Sequence, residues 1–160
     1  MLKRDLLRNV IIVAVLLAIL VGLRLFVYTP YRITKQDANS FLAENDLVLA
    51  EKTEKIPRGE FVLYEVDGKY YVGRVIAKEN DKVTYMDNLL YLNDQVQSEE
   101  YIEKMREKYL ASAASTGYYT HDFSIMDLKG AESDTIPEKS FLILNDRREN
   151  TKDSREFGLI

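Results

Sequence analysis

The chain has 160 residues, a formal net charge of −4, no cysteine and one histidine, His121. Such a length favours one domain with at most an appendage. The missing cysteines exclude a disulfide frame, a thiol nucleophile and a thiolate metal site, and a single histidine argues against a His-based triad or a multi-His metal centre. Lys3, Arg4, Arg8 and Arg24 outweigh Asp5 at the N-terminus, so the rest is more acidic than the whole, which argues against nucleic-acid binding.

Val10 to Leu23 reads VIIVAVLLAILVGL without a charge, and Leu25 to Tyr28 continues it beyond Arg24. As a helix, residues 10–28 span about 28 Å, close to the roughly 30 Å of a bilayer core. Arg24 can snorkel, Tyr28 suits the interface, and Pro30 is expected to end the helix. A cleaved leader would show small residues after its apolar core, where this chain has Arg24, Leu25, Phe26, Val27 and Tyr28. The expected organisation is therefore a cytoplasmic tail over 1–9, a transmembrane anchor over 10–28 and an extracytoplasmic domain over 29–160. The basic tail sets that orientation by the positive-inside rule.

The body reads as mostly β. Leu47–Ala50 forms a short strand. Glu60–Val66 and Lys69–Ala77 flank Asp67-Gly68, a type I′ hairpin turn that places Val66 opposite Lys69, Leu63 opposite Val72 and Val62 opposite Gly73. Lys82–Met86 and Leu89–Leu92 flank Asp87-Asn88, continuing an antiparallel meander or part of a barrel. A helix is expected from about Ser98 to Ser112, capped by Ser98, with Glu99 and Glu100 favoured by its dipole. Ile102, Met105 and Tyr109 form its packing stripe. Residues 113–138 are polar and read as an excursion from the sheet, with His121 as a surface residue beside Asp122. Phe141–Leu144 returns to the sheet.

The last stretch, Asn145 to Gly158, is dense in charge and turn formers. Asp153 and Arg155 stand two apart, so in extended backbone they share a face and can pair.

These pieces resemble the type I signal peptidase family (peptidase S26-like). That family closes its core with G-D-N-R-x-x-S-x-D-S-R-x-x/F-G. Asp146, Arg148, Asp153, Ser154, Arg155, Phe157 and Gly158 match it, with Thr151 at the Ser position. Ile136-Pro137-Glu138 resembles I/V-P-E/D, Tyr71 to Ile76 resembles Y-V-K-R-V-I, Pro57 to Val62 resembles R-G-D-I-V, and Asn45 to Leu49 resembles G-D-x-V-L. The resemblance implies a mainly β ectodomain, an antiparallel sheet or barrel with a short helix, behind one N-terminal transmembrane helix. The chain stops at Ile160, short of the strand that active relatives add, so an exposed edge is expected there.

The departures bear on activity. The resemblance implies a Ser nucleophile and a Lys general base. Counted back from Asn45-Asp46, with Leu42 as the Leu of G-x-S-M-x-P-T-L, the nucleophile position falls on Asp37, and the base position falls on Gly73. Peptide hydrolysis by that route needs a hydroxyl that attacks and an amine that takes its proton. Neither is present. Ser40 with Lys35, or Asp37 with Asp146 or Asp153 as an aspartic dyad, are the possible substitutes. Lys35, Asp37, Gly73, Arg74, Asp146, Arg147, Thr151, Asp153 and Arg155 thus read as a vestigial or structural site. Asp153 and Arg155 brace the strand ends, and Thr151 has no Lys to orient. Asn45 and Asn145 stand where the family has Gly, so positive φ is expected at both. Arg147 or Lys35 is expected to neutralise Asp37.

Asp and Gly at the two catalytic positions resemble the inactive SipA/LepA-type proteins of streptococcal pilus gene clusters. That implies a non-catalytic membrane protein assisting pilus polymerisation, with a pilin subunit or the pilus sortase as partner. The alternative is a membrane-bound peptidase with an atypical site. No metal, cofactor or nucleic acid is expected.

Overall fold

The computed structural model describes residues 2–160, with side chains from residue 4; Met1 and the side chain of Lys3, on which part of the tail reading rests, lie outside them. Helix α1 runs from Leu2 to Phe26; its Val10–Leu23 stretch is apolar on all sides, and no described side chain of the helix is buried. Such a helix has no soluble core to face, and this one is long enough to cross a bilayer. It ends earlier than Pro30. After Val27 the chain enters strand β1 (Tyr28–Arg32), and Pro30 lies inside it opposite Leu49 of β2 (Leu47–Glu51). Pro is tolerated because β1 has a neighbour on one side only. Lys52 closes the junction. Its Nζ donates to the Leu25 carbonyl at 2.7 Å, a cation on the last carbonyls of a helix.

The second sheet has the order β3-β4-β9, with β3 at Phe61–Val66, β4 at Lys69–Lys78 and β9 at Phe141–Leu144. Asp67 and Gly68 have φ of 49° and 75°, and the hairpin has the expected register, including Val62 opposite Gly73. The third sheet has the order β7-β6-β5-β8, with β5 at Val83–Met86, β6 at Leu89–Leu92, β7 at Gln95–Gln97 and β8 at Phe123–Ser124. Asp87-Asn88 turns as expected. Asn93-Asp94 makes a further turn of the same kind into β7, a strand beyond those expected from the sequence.

The register of β4 against β9 shifts between Val75 and Ala77. The bulge separates two faces. Ile76 and Ala77 join Val83, Tyr85, Leu90, Leu142 and Leu144 in the main core, while Val75 packs with Tyr64 and Ile143 on the other side.

The middle of the chain departs from expectation. Ser98 caps nothing. A 3-10 turn over Glu100–Ile102 leads into α2, which is only Glu103–Leu110. Of the expected stripe Ile102 is buried, while Met105 and Tyr109 remain part-exposed. The 113–138 stretch is no mere excursion. Tyr119, Ile125, Leu128 and Ile136 are buried, and β8 pairs with β5. Asn88 tethers this segment, accepting from the Tyr119 amide at 2.6 Å and donating to the Gly117 carbonyl. His121 is exposed and stacks on Tyr118. At the C-terminus, Phe141 and Ile160 exchange backbone hydrogen bonds, so the β9 edge is covered there.

Candidate functional site

The site begins at the turn after β1. Ile33 is buried and its backbone is pinned to Asp46 and Asn45. Asn45 has a φ of 74°, a left-handed turn that Asn tolerates in place of Gly. The next residues fold back so that the Asp37 and Ala38 amides donate to the Thr34 carbonyl. This tucks the Asp37 side chain inward, where it is 7% exposed.

Asp37 finds a full set of donors there. Oδ2 accepts from Tyr31 Oη at 2.9 Å, from the Thr34 amide at 3.3 Å and from Thr34 Oγ1. Oδ1 accepts from the backbone amide of Val72 at 3.1 Å. Neither Lys35 nor Arg147 forms an ion pair with it among the described residues, and both are exposed. The expectation of charge neutralisation is therefore replaced by hydrogen-bond saturation. Two hydroxyls and two amides hold a carboxylate without a cation. The cost falls on Tyr31. Burial, with the hydrogen bond to Asp37 and its charge, pushes the phenol pKa up to about 12.

Gly73 stands beside Val72 on β4. A Cβ placed on it would lie 2.5 Å from Ile143 Cγ2 and 3.2 Å from the Leu144 carbonyl oxygen. The branched carbon of a 2%-exposed isoleucine thus fills the space a side chain at 73 would enter. Asp37, Gly73, Asn145, Asp146 and Arg147 surround a pit too small to admit a water molecule.

Arg74 points into a different environment. It grips Asp146 with two hydrogen bonds of 2.8 and 2.6 Å and donates to the Gly59 carbonyl. Its guanidinium lies 4.1 Å from the Phe61 ring centroid and 4.2 Å from that of Tyr101. Arg148 is fully buried. It meets Glu99 at 2.6 Å, and the same carboxylate accepts from Tyr85 and Tyr101. Burial lowers the tendency of Arg148 to hold its proton, but the surrounding oxygens dominate and its pKa lies well above the ordinary value. Glu99, read from sequence as a helix-dipole residue, is therefore the counter-ion of a buried arginine. No local spacing links positions 99 and 148.

The closing loop is held by the Asp153–Arg155 pair. Arg155 donates to Asp153 through Nε at 2.9 Å and Nη2 at 2.7 Å, and its other donors reach the carbonyls of Arg148 and Asn150. Asp153 also caps α3 (Ser154–Phe157). It accepts from the Asn145 amide, while Ser154 Oγ accepts from the Ile143 amide. Side chains thus take the place of a neighbouring strand along β9. Asn145 does not adopt positive φ. Its side chain instead donates to the carbonyls of Asn150 and Lys152. Thr151 is exposed. Ser40 is exposed too and lines a groove with Tyr109 and Arg147. The structure therefore joins Asp37 to the residue beside Gly73, and Arg74 to Asp146, but leaves Lys35, Arg147 and Thr151 on the surface. Tyr31, Thr34, Ile143 and Glu99 belong to the site and carry no signal in a linear motif.

Comparison with known proteins agrees with this architecture. The family model described as "Signal peptidase, peptidase S26" matches residues 6–160. Signal peptidase IB of Staphylococcus aureus strain Mu50 is 34% identical over 99% of this chain and 84% of its own length. A second relative, named inactive signal peptidase IA, from S. aureus strain COL, is 28% identical over 93% of this chain and 82% of its own. The crystal structure of a signal peptidase I from Enterococcus faecalis V583 superposes with a TM-score of 0.59 at 30% identity, covering 66% of this chain and 89% of that one. A family match over almost the whole chain, with relatives of 30% identity or more in sequence and in fold, places the chain in the type I signal peptidase family.

Proposed function

We propose that this chain is a non-catalytic signal-peptidase-like membrane protein. The carrying observation is the state of the two positions that the motif resemblance assigns to the family's nucleophile and base. Asp37 is saturated with hydrogen bonds, and Gly73 has no side chain and no room for one. A carboxylate so held is a poor nucleophile, and it lacks the hydroxyl from which an ester acyl-enzyme forms. The aspartic-dyad alternative lacks a second free carboxylate, because Asp146 is paired with Arg74 and Asp153 with Arg155. Ser40 and Lys35 are both on the surface, not gathered in a buried dyad.

In this reading α1 anchors the protein with its N-terminus in the cytoplasm, and residues 29–160 work outside the membrane. The Asp37 and Gly73 pattern resembles the SipA/LepA-type proteins, and on that basis the role is assistance in pilus polymerisation with a pilin subunit or the pilus sortase. The first test is a cleavage assay of the full chain in detergent on a substrate bearing a signal peptide, with Asp37→Ala alongside. No product is expected from either. Robust cleavage lost in Asp37→Ala would establish the atypical peptidase instead. The second test is the pilin ladder of cells lacking the chain. Loss of high-mass polymer is expected, and an unchanged ladder removes the pilus role.

A further inference from the structure

We infer that a cavity at the far end of β4 binds an amphiphilic anion, an apolar body carrying a phosphate or carboxylate head. The cavity has a volume of about 820 Å³ and shares no lining residue with the pit at Asp37. Such a volume suits a small-molecule site. Lys78, on its wall, stands roughly 16 Å along the strand from Gly73. Ile56 and Phe141 pack into the smaller core and, with Pro57, give the cavity an apolar side. Lys55, Lys78 and Lys139 border it, all exposed, and none forms an ion pair among the described residues. Glu54 and Glu79 border it too, and Glu79 is engaged by its own wall, accepting from the Lys139 amide at 3.4 Å. The local charge is therefore positive in a chain whose net charge is −4. Cations beside an apolar wall attract an anion more strongly than they would in open water.

The walls are fixed in advance. Arg58 Nε donates to the buried Asp81 at 2.8 Å, and that carboxylate accepts from the Lys78 amide at 2.9 Å, so the loop after β2 is tied to the end of β4. The Gly59 amide donates to the Val75 carbonyl at 2.7 Å, and Lys78 pairs with Phe141 of β9. Lys139 carries the sharpest signature. Eight described non-glycine residues have positive φ, and seven are Asn or Asp, whose short polar side chains tolerate it. The eighth is Lys139, at 59°. It is third in the turn that Ser140 closes by donating to the Pro137 carbonyl at 3.3 Å, a position where positive φ favours glycine. Its Nζ makes no hydrogen bond or ion pair among the described residues, so the fold gains nothing from the side chain that strains it. What that side chain adds is a third cation at the cavity. Strain retained in this way points to use of the side chain.

The full chain in nanodiscs of phosphatidylcholine alone is titrated with n-hexyl phosphate, and the amide signals of Ile56, Lys139 and Phe141 are followed by NMR. Saturable shifts are expected at all three, with hexanol and inorganic phosphate each binding at least tenfold more weakly. Lys139→Gly should weaken hexyl phosphate about tenfold or more, the loss of one charge-assisted contact. The same variant should raise the thermal midpoint by about 2–5 °C, because glycine relieves the strained backbone. Lys78→Gln should weaken binding by a similar factor and leave the midpoint unchanged. Nanodiscs with added phosphatidylglycerol distinguish the source of the anion. Shifts there without hexyl phosphate, absent in Lys139→Gly, assign a lipid headgroup, whereas shifts with the free probe alone assign a soluble ligand. The absence of saturable shifts in both arms overturns the inference, as does binding that Lys139→Gly and Lys78→Gln leave unchanged. These readouts are of binding and stability, so they stand apart from the cleavage assay that tests the non-catalytic reading.

Discussion

Removing the Asp37 carboxylate leaves two amides and two hydroxyls without their acceptor. Hydrogen bonds to a charged group contribute about 1.5–3 kcal/mol each before relaxation, and water can reach Thr34, so Asp37→Ala should cost about 1–3 kcal/mol in urea unfolding. A residue whose role was only to sit in an empty active site would cost nothing measurable. Tyr31 gives the same network a pH signature. Its folded pKa is raised above the ordinary 10 to about 12 because burial and Asp37 favour the protonated phenol. The stability it contributes is complete below pH 10 and is lost as pH rises through 12. Tyr31→Phe should flatten that alkaline decline, and a curve identical to wild type would assign the decline to other tyrosines. At Gly73 the expected result is coupling. Gly73→Ala should destabilise by about 1–3 kcal/mol through overpacking against Ile143. In a double-mutant cycle with Ile143→Ala, the pair should be about 0.5–3 kcal/mol less harmful than the sum. Asp37 and Gly73 were legible in the sequence as departures from a motif. What surrounds them was not, since Ile143 meets position 73 only through the pairing of two strands that lie far apart in the chain.

Among the elements, the hairpins were the most legible. Asp67-Gly68 and Asp87-Asn88 are short-range signals whose positive φ values follow from residue type. Asn93-Asp94 carries the same chemistry but flanks only three residues of strand, too few for an alternation to show. The helix was overdrawn because a polar, helix-prone run from Ser98 onward conceals that Glu99 is taken into the core by Arg148. That pair separates structure from propensity by experiment. Glu99→Ala leaves a fully buried guanidinium facing two phenols, and breaking such a pair costs about 3–5 kcal/mol. The expected outcome is loss of the folded chain from detergent extracts at growth temperature, with Glu99→Gln intermediate. An effect below 1 kcal/mol in either variant would mean that water enters beside Arg148. Residues 113–138 were misread for a related reason. Their apolar members, Ile125, Leu128 and Ile136, are spaced for turns and bridges rather than for a helix or a strand, so no period marks them as core.

At the scale of the whole molecule the family was legible, because its motifs were spread from residue 45 to residue 158 and each marks a different structural joint. Restoring the two catalytic side chains tests how far the scaffold has moved. Asp37→Ser with Gly73→Lys should remain inactive, since a lysine at 73 meets Ile143 before it reaches any serine. Adding Ile143→Ala opens that path, and signal-peptide cleavage by the triple variant alone is the expected pattern. Activity in the double variant would show that Ile143 yields freely.

The junction between helix and domain has a consequence of its own. Only Val27 separates α1 from β1, and Lys52, just after β2, ties that second strand to the end of the helix. A stalk of disordered residues would let a domain sweep a hemisphere of tens of ångströms. This one has no slack. If α1 is seated in a bilayer, the body rides at a set height and tilt above the lipid surface, and any encounter with another membrane-anchored molecule becomes a two-dimensional search in which orientation is settled before contact.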